Sequence, residues 1–78
     1  MPQPYSIQVE PGERKLLPID HRLSGSYQLT CIRGHGFLRV MSCSTRLKVR
    51  AGDSIAISAR DIATLTARDP MAVMLIEN

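Results

Sequence analysis

Seventy-eight residues give room for one domain, spanning 1–78, and 44% apolar with 22% charged residues is an ordinary globular balance, which excludes a disordered, collagenous or multidomain chain. Ten Lys and Arg against seven Asp and Glu leave a formal charge of +3, which permits an anionic partner without demanding one and serves solubility equally well. A core of this size is small, so a shallow cup or a binding face is expected in place of a deep enclosed cavity.

The chain opens on Met1-Pro2-Gln3-Pro4-Tyr5, with no cationic segment followed by an apolar stretch, so neither a secretion signal nor a membrane span is expected. In such a chain Cys31 and Cys43 read as the reduced thiols of a cytoplasmic protein. Turn-forming residues recur from Pro11-Gly12 through Ser24-Gly25-Ser26, Gly34-His35-Gly36, Ser42-Cys43-Ser44, Ala51-Gly52-Asp53 and Ala59-Arg60-Asp61 to Arg68-Asp69-Pro70. They fall roughly every 8 to 14 residues, the interval of an all-β sandwich or barrel, and leave no uninterrupted window for an ordinary helix. Between them, period-two alternation and β-branched residues predict about eight strands, at 5–9, 15–19, 27–33, 37–41, 45–49, 54–58, 62–67 and 72–77.

The alternation assigns inward sets in most of these segments: Ile7 with Val9, Leu29 with Cys31, Leu38 with Val40, Leu47 with Val49, Ile55 with Ile57, and Ala63 with Leu65. Met71 to Ile76 is apolar without interruption, which fits a strand covered on both faces or one that completes a homodimer contact. If the Gly34-His35-Gly36 turn joins neighbouring antiparallel strands, Cys31 faces Arg39 and Cys43 faces Tyr27. The two cysteines then sit four positions out of register, their Cα atoms at least ~13 Å apart and beyond disulfide reach.

Gly34, His35, Gly36, a strand, a variable hairpin, then Gly52 and Asp53 ahead of Ile55 and Ile57 form an ordered series of turns and strands. This order resembles small cupin domains over about half of the chain. The resemblance implies a small antiparallel barrel or sandwich of about eight short strands, and periodicity leaves the choice between the two open. Metal-binding cupins supply two closely spaced histidines and a carboxylate before the Gly-Asp turn and a further histidine after it. None of these is present, so the resemblance is to metal-free members: small bacterial single-domain cupins and the sensory domains of AraC-type regulators. It implies a non-enzymatic binding module with no cofactor, whose partner is a protein or a small molecule.

Candidate chemistry is sparse. His21 and His35 are the only imidazoles, placed in two different turns, and a trio with Asp20 forms only if the fold brings those turns together. Gly52-Asp53-Ser54-Ile55 resembles the nucleophile motif of GDSL-type esterases, but a strand follows it and no histidine occurs after Ser54, so Ser54 reads as a turn residue. The clearest signal is Arg46, Lys48 and Arg50 alternating with Leu47 and Val49, which aims three cations roughly 7 Å apart at one solvent face. Arg39, opposite or diagonal to them, and Arg33 extend the stripe, and His35, flanked by two glycines, is free to meet a ligand. Such a face suits phosphate oxygens and makes a nucleic-acid accessory role the alternative function. The same stripe also fits a solvated strand face that blunts edge association. Tyr5, Tyr27 and Phe37 are the only rings, and no stacking platform is expected among them.

Overall fold

The computed structural model describes residues 4–22, 25–42 and 46–77. Among them the chain forms eight strands and no helix: β1 (Tyr5–Val9), β2 (Arg14–Leu16), β3 (Ser26–Arg33), β4 (His35–Val40), β5 (Arg46–Arg50), β6 (Ser54–Ser58), β7 (Ala63–Ala67) and β8 (Met71–Glu77). No helix long and apolar enough to cross a membrane occurs in this part of the chain. The strands build two four-stranded antiparallel sheets, β1-β8-β3-β6 and β2-β7-β4-β5, so the architecture is an all-β sandwich.

Of the seven connections, only β4 to β5 joins strands that pair with each other; every other connection crosses to the opposite sheet. The expected pairing across Gly34-His35-Gly36 is therefore corrected. β3 pairs with β6 and β8, while β4 pairs with β5 and β7, so Cys31 faces Val73 and Arg39 faces Arg46 on one side and Thr64 on the other. Cys43 lies outside the described residues. Cys31 is buried and free, its sulfur 3.4 Å from the Arg33 carbonyl oxygen.

The crossing itself has a steric cause. Gly34 adopts a φ of 81°, and a Cβ there would stand 2.1 Å from the Pro70 carbonyl oxygen. At Gly36 a Cβ would stand 2.1 Å from the Thr66 oxygen and 2.6 Å from the Met71 sulfur. The glycine pair thus admits the β7–β8 corner against the backbone, and His35, expected in a turn, becomes the first residue of β4. Gly52, at φ 97°, makes the corresponding turn from β5 to β6. There the Asp53 carboxylate accepts the Arg50 N–H at 3.0 Å, three residues back, where a bond two residues ahead is the common turn pattern.

The interior is apolar throughout. Val9, Leu29, Leu38, Val49, Leu65, Met71, Val73 and Leu75 are essentially inaccessible, and each contributes on the order of 1.5–3 kcal/mol by leaving water. Of the inward sets, Leu47 departs from expectation: it lies on edge strand β5 and is 39% exposed, because no strand flanks it on the outer side. The strand expected over 15–19 is shorter: Leu17 and Ile19 are buried, yet β2 stops at Leu16. Pro18 has no N–H to continue a ladder, and the Leu17 N–H reaches the Ala63 carbonyl at 2.9 Å.

The apolar run 71–76 resolves into two faces. β8 is hydrogen-bonded between β1 and β3, with Met71, Val73 and Leu75 in the core and Ala72, Met74 and Ile76 on the outer face. Register places Ser6 and Gln8, Gln28 and Thr30, and Ser54, Ala56 and Ser58 on that same outer face. The four strands of this sheet contain two charged residues, Arg33 and Glu77, each at a strand end.

Candidate anion-binding face

The second sheet is the opposite in charge. Its strands hold Arg14, Lys15, Arg39, Arg46, Lys48 and Arg50 and no carboxylate. Inward positions on β4 and β5 are Gly36, Leu38 and Val49, so alternation turns His35, Phe37 and Arg39 outward beside Arg50, Lys48 and Arg46. The register makes these direct pairs: His35 with Arg50, Phe37 with Lys48, Arg39 with Arg46. All of the expected stripe residues, His35, Arg39, Arg46, Lys48 and Arg50, share this face. Arg33 does not join them, because it ends β3 in the other sheet.

Two more cations complete it. Arg14 pairs with Thr66 on the outward side of β2, and Arg68 follows the outward Thr64 and Thr66 just beyond β7. Neither belongs to the sequence-derived stripe, although Thr64, Thr66 and Arg68 keep a period-two spacing that carries the signal. What was missing was the neighbour order, which sets β7 against β4.

Phe37 sits among these cations. The Arg46 guanidinium lies 4.8 Å from the ring centroid and that of Arg68 5.2 Å, one from the β5 side and one from the β7 side. Phe37 is the one ring of this face, and the two guanidinium groups pack over it. Next to it, His35, Phe37, Lys48, Arg50, Asp53 and Arg68 line an open concavity of about 1100 Å³.

Two carboxylates border this face. Asp69 meets His35 Nδ1 at 2.8 Å, and the His35 carbonyl accepts the Arg68 and Asp69 N–H groups at 3.0 and 3.2 Å, which ties the start of β4 to the β7–β8 corner. Asp53 accepts the Arg50 backbone N–H. Among the described residues no carboxylate forms an ion pair with Arg14, Arg39, Arg46, Lys48, Arg50 or Arg68. Arg39 directly opposite Arg46 is a like-charge cross-strand pair, an arrangement that destabilises a sheet when nothing neutralises it.

The other candidate groupings do not assemble. Asp20 is engaged by Arg22, whose side-chain hydrogen bond holds that carboxyl below its ordinary range and raises the guanidinium in turn. His21 Nδ1 contacts the Ala59 carbonyl at 2.9 Å, and His35 contacts Asp69. Ser54 starts β6, its hydroxyl 3.1 Å from that of Thr30, with no imidazole beside it. The residues present also do not fit a metal inside the sandwich. The inward positions after Gly36 are Leu38, Val40, Leu47, Val49, Ile55 and Ile57, and among the described residues no three His, Cys, Asp or Glu side chains converge.

No protein-family model matches the sequence, and no curated protein matches it. Solved structures do match the fold. A cupin protein from Bacteroides fragilis superposes with a TM-score of 0.75 at 18% identity, covering 95% of this chain and 62% of its own. Ectoine synthase from P. lautus gives 0.74 at 20% identity, covering 96% and 51%. The Schizosaccharomyces pombe Cnp3 cupin domain gives 0.71 at 8% identity, covering 95% and 50%. The chain thus spans between half and three fifths of the length of these structures. Eight strands in two four-stranded sheets, crossing at Gly34-His35-Gly36 and again at Gly52-Asp53, follow the order by which the sequence resembles cupins, and the solved structures that share this fold include cupins. By fold, the chain is a small cupin-like domain.

Proposed function

We propose that the domain is a non-enzymatic, metal-free binding module of the cytoplasm whose working surface is the outer face of the β2-β7-β4-β5 sheet, and that its ligand is a nucleic acid held mainly through phosphates. The observation that carries this reading is the row of cations on β4 and β5 that no carboxylate pairs with, Arg39 against Arg46, Lys48 against Phe37, and Arg50 against His35, the last of these alone meeting a carboxylate, that of Asp69. A polyanion laid across it relieves the like-charge pairing, and phosphate oxygens match the guanidinium fork. The filled interior favours a surface ligand over one held in the cup. Phe37 adds a ring on which a base stacks once Arg46 or Arg68 swings from it onto a phosphate, which favours single strands over duplex.

The test is fluorescence anisotropy of a labelled random-sequence single strand across a salt series. Saturable binding is expected. If all six face cations reach phosphates, log K falls against log salt with a slope of about −4 to −5. Joint reversal of Arg46→Glu, Lys48→Glu and Arg50→Glu abolishes binding while the exposed positions leave stability within about 0.5 kcal/mol. Absence of binding by the unaltered protein at low salt overturns the reading.

A further inference from the structure

We infer that the concavity at the Arg50 end of the cationic face takes the 3′-terminal nucleotide of an RNA strand, with Asp53 accepting the hydroxyls of its ribose, an assignment that rests on the reading given under Proposed function. The concavity gathers three kinds of group: the cations Lys48, Arg50 and Arg68, the Phe37 ring, and one carboxylate, that of Asp53. Its volume of about 1100 Å³ leaves room for a whole nucleotide, since pockets for small ligands run from roughly 300 to 1,000 Å³.

The carboxylate is the group that a surface for a passing phosphate backbone does not call for. Gly52, at φ 97°, turns the chain out of edge strand β5, and the Arg50 N–H then donates to Asp53 Oδ2 at 3.0 Å. That turn needs one acceptor, which asparagine or serine supplies without charge. Asp53 is half-buried, and among the described residues its Oδ1 takes no hydrogen bond and the carboxylate forms no ion pair. Asp69, the other bordering carboxylate, is held by His35 Nδ1 at 2.8 Å and does not line the concavity. A negative group with a free oxygen thus faces the same space as three cations.

Such a group repels an anion and accepts from a donor. A backbone continuing past Asp53 would set a phosphate against the carboxylate, so the strand ends there. The 3′-terminal ribose of RNA brings adjacent 2′ and 3′ hydroxyls, two donors for a carboxylate, as an acidic residue holds ribose in dinucleotide sites. A deoxyribose brings one of them, and a 3′-phosphate brings an anion. The rest of the nucleotide is served in the same place. Arg68 packs over Phe37 at 5.2 Å, and its move onto the terminal phosphodiester beside Lys48 and Arg50 uncovers the ring for the base. Upstream phosphates continue to Arg39 and Arg46 at the other end of β4 and β5.

The test is fluorescence anisotropy of one 5′-labelled RNA sequence prepared with three 3′ ends and added to the unaltered protein. Relative to the free diol, a 3′-phosphate is expected to weaken binding about tenfold to a hundredfold, and loss of the terminal 2′-hydroxyl alone about threefold to tenfold. Adenosine 5′-monophosphate carries the same base, phosphate and diol but no upstream phosphates, so it is expected to bind at least about tenfold more weakly than the strand. Asp53→Asn keeps an acceptor for the Arg50 N–H and removes the charge. Its circular dichroism is expected to be unchanged, with the 3′-phosphate form bound at least as tightly as the diol. Equal affinity for the three ends, or a preference for the diol that survives Asp53→Asn, overturns the inference and leaves the phosphate-binding face standing. A monophosphate that binds as tightly as the strand overturns the assignment to a strand end. Absence of binding by every RNA at low salt overturns the nucleic-acid reading and this inference with it.

Discussion

The two sheets of this sandwich share one apolar core and differ almost completely on the outside. The strands of one present Arg14, Arg39, Arg46, Lys48 and Arg50 outward and contain no acid; those of the other contain one cation and one acid, both at strand ends. The core needs only that inward residues be apolar and of the right volume, so outward positions are free to diverge. That freedom is spent asymmetrically. Edge strand β5 is guarded by Arg46, Lys48 and Arg50, whereas edge strand β6, Ser-Ile-Ala-Ile-Ser, has no charge at all. A chain that needed charge only for solubility or to discourage strand association would protect both edges.

The hardest way to break the contrast is to break the crossing that creates two sheets. Gly36→Ala forces a methyl group to within 2.1 Å of the Thr66 oxygen, a backbone atom that cannot swing aside, and is expected to cost about 3 kcal/mol or more in urea denaturation. Gly12→Ala is the control. Its φ of 88° is unfavourable for alanine, but its surroundings are open, so a loss of about 1–2 kcal/mol is expected.

Phe37→Ala sharpens the contrast at the level of binding. Loss of one stacked base is worth about 1–3 kcal/mol, so affinity for a single strand should fall roughly tenfold to a hundredfold, with the salt slope unchanged because no cation is removed. Ile32→Ala, an exposed apolar residue in the uncharged sheet, is expected to leave that affinity where it was.

The smallest effect concerns the core that both sheets share. Burial pushes the Cys31 thiol up from its ordinary range, so the folded state favours the protonated form. The stabilisation is therefore fully present below the unfolded thiol value of about 8.5 and is lost as pH rises through the folded value. Urea midpoints should decline as pH rises from the unfolded thiol value towards the folded one, and Cys31→Ala should flatten this part of the decline. Alkylation of Cys31 in the folded protein at neutral pH should be slow, and unfolding in urea should accelerate it.

Most strand segments were legible from alternation alone, because a half-buried strand must place apolar residues at every second position. The reading lost accuracy where a residue does two jobs. Gly36 looks like part of a turn, yet it is a strand residue made glycine by the close approach of Thr66 and Met71. Leu17 and Ile19 continue the apolar pattern of β2 past the point where Pro18 ends its ladder. The stripe residues Arg46, Lys48 and Arg50 were visible because they sit on one strand. Arg14 and Arg68 were not, because their membership depends on β2 and β7 lying beside β4.

Local chemistry, then, decided which segments are strands, where glycine turns separate them, and that one strand points three cations outward. Those properties follow from steric limits on φ and from burial at period two, and both act over a few residues. Which strands become neighbours was decided only by the tertiary structure. Six of the seven connections leave the sheet they start in, and the rule that successive strands pair fails at each of them. Pairing is selected by the closure of a common core among residues as distant as Val9 and Met71, a cooperative packing condition that no local window contains.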